Sequence, residues 1–224
     1  MKRYGKLRIA LALLTNLLTA VFVSWAIIMM LTYPGPRTMS SGYGVYCFKY
    51  FTVDSNVLCA LSSLAWLPFG IRALCTGKEV PRAVSVLRLA GTAAVTITFL
   101  GVMIVLGPPQ GYRYCFRREN MFMHLLVPVI SILSFTALER PKDLSFLSTL
   151  PSCILPAVYM VFYVYLLSRH RITDFYGLKA YGLPMFLMVP VFALFGILCA
   201  GLLLSGSKIG RKKHPGKKVL HKQL

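Results

Sequence analysis

Unbroken apolar blocks recur along the chain, at approximately residues 7–31, 52–74, 84–106, 120–138, 150–167 and 184–205. Each approaches or exceeds the roughly 20 residues that a helix needs to cross ~30 Å of hydrocarbon. A closed barrel, the other architecture that satisfies its backbone inside a bilayer, needs ~10-residue segments alternating apolar and polar, which these runs do not show. The expected fold is therefore all-α, a polytopic integral membrane protein made as one six-transmembrane-helix bundle over residues 1–205. A basic tail, residues 206–224, follows it. The connecting loops are too short for a second domain, and no internal repeat is visible. The first block follows Lys2, Arg3, Lys6 and Arg8 as a signal peptide's would, but it is longer than a signal peptide's apolar region. It also lacks a small-residue cleavage site before Tyr33 and Pro34, so it is expected to remain as a membrane helix.

Composition agrees: 57% of residues are hydrophobic and 14% charged, with a mean hydropathy of +0.67. The net charge of +19, from 25 Lys and Arg against 6 Asp and Glu, would suggest nucleic acid in a soluble domain. Here most basic residues flank apolar blocks and read as topology signals, so no nucleic-acid partner is expected. Lys6, Arg8, Arg72, Lys78, Arg82, Arg88, Arg140 and Lys142 fall on one side with the tail, and fewer fall on the other. The bias places both termini in the cytoplasm. Lys208, Arg211, Lys212, Lys213, Lys217 and Lys218 give the tail a further affinity for anionic lipid. Short loops and basic termini suit a bacterial plasma membrane.

Polar groups inside apolar blocks are expensive in lipid and therefore informative. Helical spacing puts Thr52, Ser55, Asn56, Cys59, Ser63 and Trp66 on one face of the second helix, and Asn120, His124, Val127 or Pro128, and Ser131 on one face of the fourth. Both faces should point into the bundle. The inferred topology puts Thr52 and His124 at similar shallow depth on the outer side, where neighbouring helices would bring them together. A histidine within hydrogen-bond reach takes the proton of a threonine hydroxyl as it attacks an acyl carbon, and free first-turn N–H groups would bind the resulting oxyanion. Asp54 or Asn120 would orient the imidazole. The competing reading makes Thr52 the N-cap of the helix, with Asp54 complementing the helix dipole, and the other polar residues interhelical glue. Pro128 removes the N–H that would bond the His124 carbonyl, so a kink is expected there.

The chain holds no G-x-S-x-G, P-loop, H-E-x-x-H or C-x-x-C pattern, and its four His do not form a metal set, so no metal or cofactor is called for. His170, between Arg169 and Arg171 in an outer loop, would lie near a substrate headgroup or simply in solvent. Tyr33, Tyr43, Tyr50, Tyr114, Tyr176 and Tyr181 fit an outer aromatic belt. Cys47 and Cys115 fall in outer loops just before the second and fourth helices, where a disulfide joining those helices is one arrangement open to them.

The segments Lys49-Tyr50-Phe51-Thr52 and Asn120-x-x-Met123-His124 resemble those of the androgen-induced-gene family of six-helix membrane proteins, which includes the androgen-dependent TFPI-regulating protein. Animal members are atypical threonine hydrolases that cleave fatty acid esters of hydroxy fatty acids. The resemblance implies Thr52 and His124 as the catalytic pair. Met121 stands where the animal motif often has a further histidine, and Ser55-Asn56 looks more like the bacterial branch. The expected function is thus a membrane-embedded threonine hydrolase acting on a lipid or fatty-acyl ester, with Thr52 as nucleophile, His124 as base, and Asn56, Asn120 and Ser131 lining the pocket. Membrane lipids and a small lipidic substrate are the expected partners. Two non-enzymatic readings remain: lipid binding or transport in the same cavity, and a structural protein whose polar faces only hold helices together.

Overall fold

The computed structural model describes residues 3–39, 41–178, 182 and 184–209. The basic tail expected over 206–224 lies outside the described residues from position 210 onward, and so do Lys2, Lys179 and Tyr181. Among the described residues six helices are long and apolar enough to cross a bilayer, as in a multi-pass membrane protein: α1 (Gly5–Leu31), α2 (Phe51–Thr76), α3 (Arg82–Gln110), α4 (Glu119–Glu139), α5 (Phe146–Ser168) and α6 (Met185–Lys208). No strand occurs among the described residues. The helices fall on the six apolar blocks, with ends displaced by a few residues.

Helix α3 is the axis of the bundle, packing against α2, α4, α5 and α6, while α1 packs on α2 and α4. Its buried face is built from small residues, Ala90, Gly91, Ala93 and Ala94, which let neighbouring backbones approach. A Cβ at Gly91 would run into Ser62 Oγ and the Cys59 backbone, so α2 and α3 touch there without a side chain between them. On the far side Leu89, Ala93 and Ile97 pack with Tyr159, Tyr163 and Leu203 of α5 and α6. Outward faces carry Leu14, Ile28, Leu61, Ile104, Phe162 and Leu202, all exposed, as a hydrocarbon solvent requires.

The sequence reading took Arg88 for a topology signal at a helix end, and the structure corrects this. Arg88 is completely buried in α3, and its Nε lies 3.1 Å from Glu139 Oε1 at the end of α4. The same oxygen accepts from Asn16 Nδ2 at 3.0 Å and Ser134 Oγ at 2.9 Å, and Arg88 Nη1 donates to Thr92 Oγ1 at 2.9 Å. A buried ion pair recovers its desolvation cost only when such extra bonds are present, and breaking one side strands the other charge. Arg88→Ala and Glu139→Ala are each expected to destabilise the bundle by about 3–5 kcal/mol. The double replacement Arg88→Met with Glu139→Leu should melt nearer to the wild type than either single variant, as read by thermal unfolding in detergent.

Candidate functional site

The site forms where α2 and α4 begin, at one end of the bundle. A 3₁₀ turn, Gly44–Lys49, delivers the chain to Tyr50, whose extended backbone (φ −98°, ψ 130°) makes it the N-cap of α2. Thr52 is therefore already inside the helix, and no side chain caps this end. That removes the N-cap reading of Thr52. Its hydroxyl instead meets the imidazole of His124, with Oγ1 3.3 Å from Nε2. Ser55, Asn56, Cys59, Ser63 and Trp66, placed on the same face by spacing, are all buried between helices.

His124 sits in a π-helical turn, Phe122–Leu126, in which the N–H of Val127 reaches back to the Phe122 carbonyl. Such turns widen a helix and redirect its side chains. In that register the Met123 carbonyl would look to the nitrogen of Pro128, which carries no hydrogen. Asn56 Nδ2 supplies the donor from α2 at 3.1 Å and also donates to the Thr52 carbonyl at 2.7 Å. The carbonyl bridged to α2 is thus Met123's, one residue before the His124 carbonyl that an α-helical register would have freed.

The second imidazole nitrogen, Nδ1, is 2.7 Å from the Cys115 carbonyl oxygen. A carbonyl can only accept, so Nδ1 carries the hydrogen and Nε2 presents its lone pair to the threonine hydroxyl. Asp54 and Asn120, proposed from sequence to orient the ring, do not fill that role. The first-turn N–H groups are also more committed than expected. Phe51 donates to the Tyr176 hydroxyl at 2.9 Å, and Val53 and Asp54 donate to the Tyr50 carbonyl.

Two cavities meet at Thr52. One, of about 330 Å³, has polar walls that include Tyr43, Tyr114, Gln110, Asn120 and His124. The other, of about 530 Å³, has walls almost wholly apolar, among them Ile97, Val102, Val105, Phe195 and Leu198 from α3 and α6. Thr52, Leu106 and Tyr176 line both. Each volume lies within the ~300–1,000 Å³ of typical small-molecule sites. Glu119 forms part of the polar wall and is held by Tyr43, whose O–H donates to Oε1 at 2.8 Å. Burial, together with this carboxylate, pushes the Tyr43 phenol up to about 12.

Of the residues expected to line the pocket, Asn120 does so. Asn56 is fully buried behind the Thr52–His124 pair as a brace, and Ser131 pairs with Cys59 Sγ at 3.1 Å; neither lines the two cavities. Tyr176, placed by sequence in a membrane-interface belt, lines both cavities, and Tyr159 O–H donates to the Lys49 carbonyl at 2.7 Å just beneath them. His170 borders a separate polar cavity with Lys49 and Arg171. Among the described residues no three of His, Cys, Asp and Glu gather as a metal site. No protein-family model, curated protein or solved structure matches this chain.

The disulfide considered from sequence is not formed. Cys47 and Cys115 are both buried free thiols, and burial raises both above the ordinary thiol value. Cys75 is exposed. Maleimide at neutral pH should therefore modify Cys75 quickly and leave Cys47 and Cys115 until the protein is denatured, with the denatured thiol count unchanged by reduction. A count that rises on reduction would contradict this arrangement.

Proposed function

We propose that the chain is a membrane-embedded threonine hydrolase that cleaves a lipid or fatty-acyl ester. The observation that carries the reading is the position of Thr52, its hydroxyl facing the bare nitrogen of an oriented histidine at the junction of one polar and one apolar cavity. An acyl chain fits the apolar chamber, and the alcohol portion and water fit the polar one. Val191, Leu194 and Leu198 of the chamber wall are exposed on α6, which favours entry sideways from the bilayer. The likeness of the Thr52 and His124 segments to the androgen-induced-gene family supports the same pair.

In the first step Thr52 Oγ1 adds to the ester carbonyl carbon while His124 Nε2 takes its proton. Tyr176, which lines both cavities with Thr52, offers its hydroxyl as the donor to the oxyanion. Collapse expels the alcohol, which leaves with the proton from Nε2, and the acyl group stays on Thr52. Water then attacks the acyl-threonine with His124 again as base, releasing the fatty acid and restoring the hydroxyl. The hydrogen bond from Nδ1 to Cys115 holds the tautomer through both steps. The Lys and Arg bias orients both termini to the cytoplasm, which puts this site in the outer half of the membrane.

Turnover of a neutral long-chain acyl ester by detergent-solubilised protein is expected to fall to background in Thr52→Ala and His124→Ala. Thr52→Ser should retain part of it. Equal hydrolysis by the wild type and both alanine variants would overturn the reading. Saturable lipid binding without turnover, unchanged in Thr52→Ser, would mark a lipid-binding protein instead.

A further inference from the structure

The wall of the polar cavity beside Thr52 departs from the charge balance of the chain. Lys and Arg outnumber Asp and Glu by 25 to 6 in the sequence. Among the described residues, however, no Lys or Arg lines this cavity, and beside the neutral His124 its one charged side chain is the carboxylate of Glu119. Five aromatic rings share the wall: Tyr43, Tyr50, Tyr114, Phe175 and Tyr176. They come from the stretches before α2, before α4 and after α5, which the fold gathers round one space of about 330 Å³.

Glu119 is 2% exposed. Tyr43 donates to one of its oxygens, and Arg118 Nε lies 3.4 Å from the other. Arg118 is the more exposed member of that pair and does not line the cavity, so the pair turns its negative end toward the cavity. Lys49 lies outside the wall and borders the separate cavity with His170. Its Nζ is 4.8 Å from the Tyr50 centroid and 5.5 Å from that of Phe175, so these two rings already hold a cation. Among the described residues no cation lies over the rings of Tyr43, Tyr114 or Tyr176.

We propose that this cavity binds a quaternary ammonium group, and that the ester cleaved at Thr52 joins a fatty acid to a choline-type alcohol. The ester rests on the hydrolase reading above; the cation rests on the cavity alone. The negative face of an aromatic ring attracts a cation without hydrogen bonds, which suits a trimethylammonium group that has no N–H to donate. Glu119 adds a carboxylate to the same wall. A head group carrying a phosphate would call for the lysine or arginine that this wall lacks, so the quaternary group is placed on the alcohol itself. Hydrolysis then follows the same two steps. The acyl C–O bond breaks, the choline oxygen leaves with the proton from His124 Nε2, and water releases the fatty acid from Thr52.

The cation site is tested apart from turnover on Thr52→Ala protein in nanodiscs, by saturation-transfer NMR with tetramethylammonium and with tert-butanol as its neutral counterpart. Tetramethylammonium should bind and be displaced by palmitoylcholine, while tert-butanol shows no transfer. Tyr114 is exposed at the cavity rim, where replacement leaves the bundle's packing intact. Adding Tyr114→Leu or Glu119→Gln should weaken binding about tenfold, and Tyr114→Phe, which keeps a ring, should bind like its parent. In the active protein, kcat/KM for palmitoylcholine should exceed that for its uncharged carbon isostere, neohexyl palmitate, by about tenfold. Tyr114→Leu and Glu119→Gln should bring that ratio toward one, while Tyr46→Leu, which removes an exposed ring outside the cavity, keeps it. Equal tetramethylammonium binding by the Tyr114→Leu and Glu119→Gln proteins, or none by the folded parent, would overturn the site. Tetramethylammonium binding with no hydrolysis of either ester would keep the site and refute the hydrolase reading; equal hydrolysis of both esters with no such binding would do the reverse. Faster turnover of lysophosphatidylcholine than of palmitoylcholine would overturn the simple choline ester as the source of the cation.

Discussion

The hydrogen bond from His124 Nδ1 to the Cys115 carbonyl, 2.7 Å long, fixes what the rest of the site can do. It decides which nitrogen carries hydrogen, and so leaves a basic nitrogen toward Thr52. In the proposed hydrolase this carbonyl takes the place of the carboxylate of a Ser-His-Asp triad, setting the tautomer without adding a charge. It also makes the site depend on the short stretch before α4, since the orienting atom belongs to residue 115 and the ring to residue 124. The π-helical turn at Phe122–Leu126 and the Asn56 bridge to the Met123 carbonyl keep α4 and α2 in register around that bond.

Around this centre the bundle separates its polar groups by depth. Thr52, His124 and the tyrosine-lined cavity occupy one end, and the Arg88–Glu139 pair with Asn16, Ser134 and Thr92 occupies the other. Between them, Cys59 and Ser131 bond each other, and Arg88 Nη1 lies 3.5 Å from the Cys59 sulfur, so the interior of α1 to α4 is polar along much of its length. Every such group is costly in hydrocarbon unless partnered. The other half of the bundle, α5 and α6 against α3, has the contrasting apolar packing, and the large apolar chamber opens beside it. Helix α3 serves both halves, giving a buried arginine to one and a chamber wall to the other.

The helices were legible because lipid demands long apolar runs, and all six runs became helices. The inward faces of α2 and α4 were legible from three-and-four spacing, and with them the meeting of Thr52 and His124. What orients the histidine was not, because a backbone carbonyl has no signature in the side-chain pattern. Arg88 was misread because a cation near the end of an apolar block looks the same whether it snorkels to water or is buried against a carboxylate on another helix. Its partner Glu139 lies 51 positions away. Tyr176 was out of reach for a similar reason: loop residues have no periodicity to announce which way they fold. Ser131 lay on the right face but too deep for either cavity. Spacing gives the direction of a side chain and says little about its depth.

The central claim is that His124 activates the Thr52 hydroxyl, and covalent trapping tests it most directly. Folded protein treated with a fluorophosphonate ester-hydrolase probe would be digested and its adduct located by mass spectrometry. The account predicts an adduct on Thr52 Oγ1 that is absent from Thr52→Ala and lost in His124→Ala. An adduct on another residue, or none on well-folded wild-type protein, would contradict it.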